Sequence, residues 1–320
     1  MKRLLSLIFA ALLALSVTAC AETPDKTTVR IGSLKGPTSM GLVELMHNED
    51  TANAYAFTVE ATPDAITPAL IRGDLDIALL PANLAAILYN KTDGALEVAA
   101  INTLGVLYVL ENGDTIHAVA DLAGKTIYST GQGTTPEFAL NYILSKNGLD
   151  PAKDVTIEYK SEAAEVASAL LADAAAVAVL PEPYVTSVIM QNENVRVALS
   201  LSNEWDAVGG GSAMVTGVAV IRKAFYDEHP EAVAAFLTEY AASTAYVNEN
   251  PAEASVWIEE LGIVAKAALA EKAIPACNIV CITGDEMQTK LSGYLSALYD
   301  QNPESVGGTL PGEDFYLTVN

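Results

Sequence analysis

Two short turns hold the polar groups best suited to receiving a small molecule. Lys35-Gly36-Pro37-Thr38-Ser39-Met40 and Ser129-Thr130-Gly131-Gln132-Gly133-Thr134-Thr135 each follow a β-branched run and precede a helical pattern. A helix start presents backbone N–H groups with no partner inside the helix, so it attracts polar or anionic groups. The hydroxyls of Thr38, Ser39, Thr130, Thr134 and Thr135 add donors, and Gly131 and Gly133 let a backbone approach closely. Pro136 interrupts what would otherwise approach a G-x-G-x-x-G fingerprint. Ordinary helix capping explains the same residue types, and that reading stays open for both turns. Asn83, Thr103 and Thr216 follow or lie in apolar strands and are weaker candidates. Glu182, between Pro181 and Pro183, opens another helix, where a carboxylate is favourable with or without a ligand.

Catalytic patterns fail on particular residues. Gly124-Lys125-Thr126 matches the end of a P-loop, but the earlier glycine would fall at Val119. Gly211-Ser212 resembles part of a nucleophile elbow, but position 214 is Met instead of the glycine the elbow needs. The three histidines, His47, His117 and His229, lie far in sequence from Cys277 and Cys281, so neither a metal nor a cofactor is expected. The expectation is a binding protein rather than an enzyme.

The chain begins with Lys2 and Arg3, an apolar run from Leu4 to Val17, and Val17-Thr18-Ala19-Cys20. A run of about 14 residues is short of the roughly 20 that span a bilayer. It reads as an export signal over residues 1–19. Val17–Cys20 resembles a bacterial lipobox, which makes Cys20 the lipidated first residue and 20–27 a polar tether. The protein is then expected outside the cytoplasm, anchored to the cell membrane by lipid. There Cys277 and Cys281 have the compartment, and a loop short enough, to bridge or to remain as two thiols. The 40 acidic and 17 basic residues give a net charge of −23. That surface repels nucleic acid. With 51% hydrophobic and 18% charged residues, the chain is not a disordered acidic tract.

The elements that must position these turns alternate. Strands over 28–34, 55–60, 75–80 and 96–102 are separated by helices over 38–48, 62–72 and 81–89. A second series follows, with strands over 125–129, 155–159, 174–180 and 195–199 and helices over 134–146, 161–172 and 182–192. Such alternation implies mostly parallel, doubly wound α/β sheets. Gly105–Leu110 and Met214–Ile221 bracket the second series and are expected to connect two lobes, one formed by 28–110 with 213–320 and the other by 111–212. Trp205 and Met214–Thr216 lie near the second connection, where core packing is an equal reading. The chain after 222 is mainly helical.

Three passages strengthen a family resemblance: Leu70-Ile71-Arg72-Gly73-Asp74-Leu75-Asp76-Ile77-Ala78, Asp121-Leu122-Ala123-Gly124-Lys125-Thr126-Ile127 and Leu180-Pro181-Glu182-Pro183-Tyr184. With the lipobox and two α/β units, the chain resembles solute-binding lipoproteins of ABC transporters with the type II periplasmic-binding fold. The branch is the one that binds nitrate, sulfonates, taurine and thiamine-precursor pyrimidines. The resemblance implies a receptor that passes a small polar ligand to a permease with a separate ATPase; the two bracketing strands suggest that it closes around the ligand as a hinge, and a monomer is expected. It places Glu182 at the cleft, facing a ligand amine, with Tyr184 as an aromatic wall. Two alternatives are a ligand sensor docking on a membrane receptor and a pyrimidine-synthase-like enzyme of the same fold.

Overall fold

The computed structural model describes residues 26–173 and 175–318. Cys20, the export signal and most of the tether lie outside them. The first sheet has six strands in the order β11-β4-β10-β3-β1-β2: β1 (Thr28–Leu34), β2 (Ala54–Glu60), β3 (Ile77–Pro81), β4 (Leu96–Leu104), β10 (Val215–Arg222) and β11 (Ile279–Ile282). The second has five in the order β7-β6-β8-β5-β9: β5 (Leu107–Asn112), β6 (Thr126–Ser129), β7 (Thr156–Tyr159), β8 (Val177–Pro181) and β9 (Val195–Ser200).

The two sheets share one plan. β1 pairs in parallel with β2 and β3, as β6 does with β7 and β8. Beside each parallel set lies one antiparallel strand, β10 in the first sheet and β5 in the second. Each is the first strand the chain forms after crossing from the other sheet. β3, β4 and β8 are buried nearly end to end, as expected where helices cover both faces. This is the doubly wound, two-lobed α/β architecture expected of a type II periplasmic-binding fold. β5 lies wholly in the second sheet, so a boundary drawn after Leu110 falls inside a strand; the chain crosses at Gly105-Val106.

That crossing is held from both sides. The Gly105 carbonyl accepts from Ser202 Oγ at 2.8 Å and from the Asn278 side-chain amide, and Leu104 N donates to the Asn278 carbonyl at 3.0 Å. The second crossing runs from Gly209 to Met214. Trp205, fully buried in the helix Leu201–Val208, stacks on Tyr142 at 4.2 Å and donates from Nε1 to Ser212 Oγ at 3.0 Å. Its ring centroid lies 5.3 Å from that of Tyr294 on the helix Gly284–Gln301. Trp205 is therefore a packing residue.

Cys277 and Cys281 are free thiols rather than a disulfide. Cys277 is buried with Met40, Val43 and Ile263, whereas Cys281 packs against the separate cluster containing Leu42 and Tyr240. Asn278 between them is left-handed, with φ 47°, and turns the chain. Burial raises both thiol pKa values, that of Cys281 to about 11.

Candidate functional site

The first turn is built by the close of β1. Lys35 N donates to the Glu60 carbonyl at the end of β2, at 2.9 Å, which fixes where the chain leaves the sheet. Gly36 then adopts φ 90°, where a Cβ would be strained, and starts the single helical turn Pro37–Met40. The turn of the second sheet that meets it follows β8, the counterpart of β3. There Glu182 N donates to the Val106 carbonyl at 3.0 Å, tying this turn to the first crossing. Glu182 precedes a cis peptide to Pro183 and the helix Tyr184–Gln191.

These two turns face one cavity of about 540 Å³. Lys35, Gly36 and Pro37 line it from the first sheet, and Glu182, Pro183 and Tyr184 from the second. Ile263, Val264 and Leu269, from the helical C-terminal part, also line it. The position follows from topology, since the carboxyl ends of parallel strands in open α/β sheets border the ligand crevice.

Glu182 is only 4% exposed. Its Oε2 accepts from Thr186 N at 3.2 Å and its Oε1 from the Thr186 hydroxyl at 3.0 Å. Burial raises its carboxyl above the usual range, and the two Thr186 bonds oppose that rise. Tyr108 stands nearby, its hydroxyl donating to the Ala276 carbonyl at 2.7 Å. Burial first, then the charge of Glu182, pushes the Tyr108 phenol up to about 12. Tyr184, 41% exposed overall, and Lys35, also exposed, both line the cavity.

Other expected contacts are engaged elsewhere. Ser39 is buried, with its hydroxyl 2.6 Å from Ser33 Oγ and donating to the Leu34 carbonyl at 2.6 Å. Met40 is fully buried and packs in the cluster that includes Cys277. Thr38 is half-buried, and its carbonyl accepts from the Asn102 amide at 3.2 Å. The glycine turn of the second sheet closes on itself. Thr134 N and Oγ1 donate to the Gly131 carbonyl at 3.0 and 2.7 Å, and Gly133 N donates to Glu137. A backbone N–H that could have met a polar or anionic group is thus taken by the chain's own carboxylate. Thr130, Gly131 and Thr135 are half-buried, Gln132 is exposed, and none of this turn lines the cavity. Asn83 donates to the Ser305 carbonyl at 3.3 Å. Thr103 is fully buried and Thr216 half-buried, and neither lines the cavity.

The sequence model of the family described as "NMT1/THI5 like" matches residues 61–254, more than half of the chain. The chain belongs to this family. No curated protein matches the sequence. Among solved structures, an ABC transporter protein from Parabacteroides distasonis is 26% identical, with a TM-score of 0.78 over 92% of this chain and 100% of that one. The periplasmic aliphatic sulphonate-binding protein of Escherichia coli is 14% identical, with a TM-score of 0.72 over 92% of each chain. The alkanesulfonate-binding protein of Xanthomonas axonopodis pv. citri, solved bound to MOPS, is 15% identical, with a TM-score of 0.61 over 90% and 96%. The last two likenesses concern the fold.

Set against this family membership, the chain brings together three of the residues singled out from sequence, Lys35, Glu182 and Tyr184. The apolar lining from Ile263 to Leu269 was missed. Gly262, left-handed at φ 64°, closes the preceding helix Pro251–Glu260 and aims the next residues inward. The self-closure of the glycine turn had a visible signal: Thr134 followed three residues later by Glu137 is a capping-box pattern.

Proposed function

We propose that the chain is the extracytoplasmic solute-binding component of an ABC importer. It takes a small polar organic molecule between two lobes and closes around it. The observation that carries this reading is the cavity walled by Lys35–Pro37 from one sheet and Glu182–Tyr184 from the other. A solute touching both walls binds the closed arrangement better than the open one, and so shifts the population toward closure. The lobes are proposed as 28–104 with 215–318, and 107–208, with the two crossings as pivot. The relatives' aliphatic sulphonate ligands make small organic molecules of that size the first to try. The reading assigns no catalytic step. Cys20 is proposed as the lipid anchor, residues 20–27 as the tether and the protein as a monomer that delivers solute to a permease.

A thermal-shift screen of pyrimidines, sulfonates, amino acids and small amines, followed by small-angle scattering, tests the reading. A solute at about 100 times its Kd adds about 2.7 kcal/mol of stability and reduces the radius of gyration. A bound solute that leaves the scattering unchanged removes the closure mechanism. Cys20→Ser is expected to release the protein from the membrane fraction; retention there would refute the anchor.

A further inference from the structure

Strand register sets three charged residues side by side at the end of the first sheet farthest from the solute cavity. β1 pairs Ile31 with Ile77 of β3, and β10 pairs Ile221 with the same Ile77, so Arg30, Asp76 and Arg222 fall in one row. Thr28 and Arg30 stand at the start of β1 and Lys35 follows its end, about 23 Å along the strand from Thr28. Asp76 is 1% exposed, and both its oxygens are engaged. Oδ2 accepts from Arg30 N at 3.0 Å and Nε at 2.8 Å, and Oδ1 from Arg30 Nη2 at 2.6 Å and Arg222 Nη1 at 3.4 Å. Two guanidiniums thus share one carboxylate, which leaves one positive charge in excess. Arg222 carries it. Its side chain is 25% exposed, and its one ion pair among the described residues is the long contact to Asp76. A Cβ at Gly73 would come within 3.0 Å of its Cζ, so the guanidinium lies against that glycine. Most of its five N–H donors have no acceptor among the described residues.

A cavity of about 300 Å³ opens on this row, and Thr28, Phe225, Glu228 and His229 also line it. Glu228 brings an opposing charge, but its side chain is 76% exposed, so solvent screens it. We propose that this cavity is a phosphate site, with Arg222 and Arg30 as donors and Asp76 as the residue that positions both. A guanidinium offers paired N–H groups that match two oxygens of a phosphate. A tetrahedral oxyanion has acceptors enough to reach both arginines and the Thr28 hydroxyl, whereas a carboxylate has two oxygens in one plane. The volume lies at the lower limit of the roughly 300–1,000 Å³ usual for organic ligands, which suits a phosphate on a small alcohol such as glycerol. Two sources carry that group, a phospholipid headgroup and a free phosphate ester. The tether proposed above ends where β1 begins, and its eight residues reach at most roughly 28 Å, which puts headgroups of the anchoring membrane within range. The site depends neither on the tether nor on the cavity between the sheets.

The test uses the purified protein carrying Cys20→Ser, which has no lipid of its own. Inorganic phosphate and glycerol 3-phosphate are titrated by calorimetry, with acetate at equal ionic strength as control. Both phosphates are expected to bind, and acetate at least tenfold more weakly. Arg222→Gln keeps a planar group beside Gly73 and leaves the Arg30–Asp76 pair intact. It is expected to weaken phosphate by roughly tenfold or more, the scale of lost charge-assisted hydrogen bonds. Glu228→Gln removes the exposed opposing charge and is expected to tighten phosphate by roughly twofold to fivefold. A row that only closes the sheet predicts no such gain. Flotation with phosphatidylglycerol vesicles, against phosphatidylcholine vesicles, separates the sources. Vesicle binding that Arg222→Gln abolishes assigns the site to a headgroup, and phosphate binding without vesicle binding assigns it to a soluble ester.

The proposal falls if neither phosphate binds, or if acetate binds as well as phosphate. It falls equally if Arg222→Gln, with its thermal midpoint retained, binds phosphate like the parent, or if Glu228→Gln weakens it. Should Arg222→Gln not fold, Glu228→Gln and Thr28→Val decide. Thr28→Val is expected to weaken phosphate at an unchanged thermal midpoint, and unaltered affinity in both variants overturns the site.

Discussion

At Glu182 the fold holds a carboxylate 4% exposed with Thr186 as its hydrogen-bonding partner, and the balance between burial and those bonds sets a pH dependence. Burial wins, so the folded protein keeps this proton to higher pH than the unfolded chain. Stability is then lost as pH rises from the usual carboxylate range through the raised one. Glu182→Gln is therefore expected to make the solute-free protein more stable at neutral pH. The gap should close below about pH 4, as measured by urea unfolding at both pH values. A second outcome concerns the thiols. Cys277 and Cys281 are expected to titrate as two thiols in denaturant without reductant, and in the native protein Cys277 should be protected. A two-dalton mass gain on reduction would contradict this. Lys35 was singled out by its type and its place after a strand, whereas the family resemblance brought Glu182 and Tyr184 to the cleft; all three line the cavity. Sequence could not exclude Ser39 or Met40 in the same way. A one-turn helix has no periodicity to show which side faces the core, and Ser39 is claimed by Ser33 and Leu34 across the turn.

Most strands and helices were legible because alternation of apolar runs with amphipathic ones survives in sequence. The departures have distant causes. The helix expected over 38–48 is two pieces, Pro37–Met40 and Val43–His47. A Cβ at Gly41, between them, would lie 2.9 Å from Ile279 Cγ2 and 3.1 Å from the Tyr240 hydroxyl, so packing from more than 190 residues away requires glycine at the break. β11 escaped notice as a strand of only four residues at a sheet edge. The helix Leu201–Val208 escaped because its start, capped by Ser200, follows β9 with no turn between. Gly217 on β10 has a similar long reach. A Cβ there would sit 2.3 Å from Asn102 Oδ1, and Asn102 is the residue that donates to the Thr38 carbonyl. Gly217→Ala is expected to swing Asn102 away, cost roughly 1–3 kcal/mol in denaturant unfolding and loosen the Lys35 turn. Solute affinity should fall with it. Unchanged affinity in a destabilised protein would show that the turn does not depend on Asn102.

For the whole molecule, the matched plan of the two sheets matters less than where the chain passes between them. Both crossings meet at Gly105: a Cβ there would lie 2.3 Å from Met214 Cε and 2.4 Å from Ser202 Oγ. Met214 ends the second crossing, and Ser202 belongs to the helix that follows the second sheet's last strand. One small region therefore carries both connections, with the cavity beside it through the bond from Glu182 N to the Val106 carbonyl. A pivot of this kind needs close contact without bulk, and glycine provides it at the first crossing. Gly105→Ala is expected to push the crossings apart while each sheet keeps its hydrogen bonds. Circular dichroism should then stay as in the parent protein. The radius of gyration of the solute-free protein should shift, and the compaction produced by a bound solute should shrink. If the variant closes around solute as fully as the parent, Gly105 is a packing glycine and the pivot lies elsewhere along the two crossings. If its dichroism collapses as well, the contact holds the fold itself, and a milder change at Met214, to leucine, separates the two roles by altering the closure response alone.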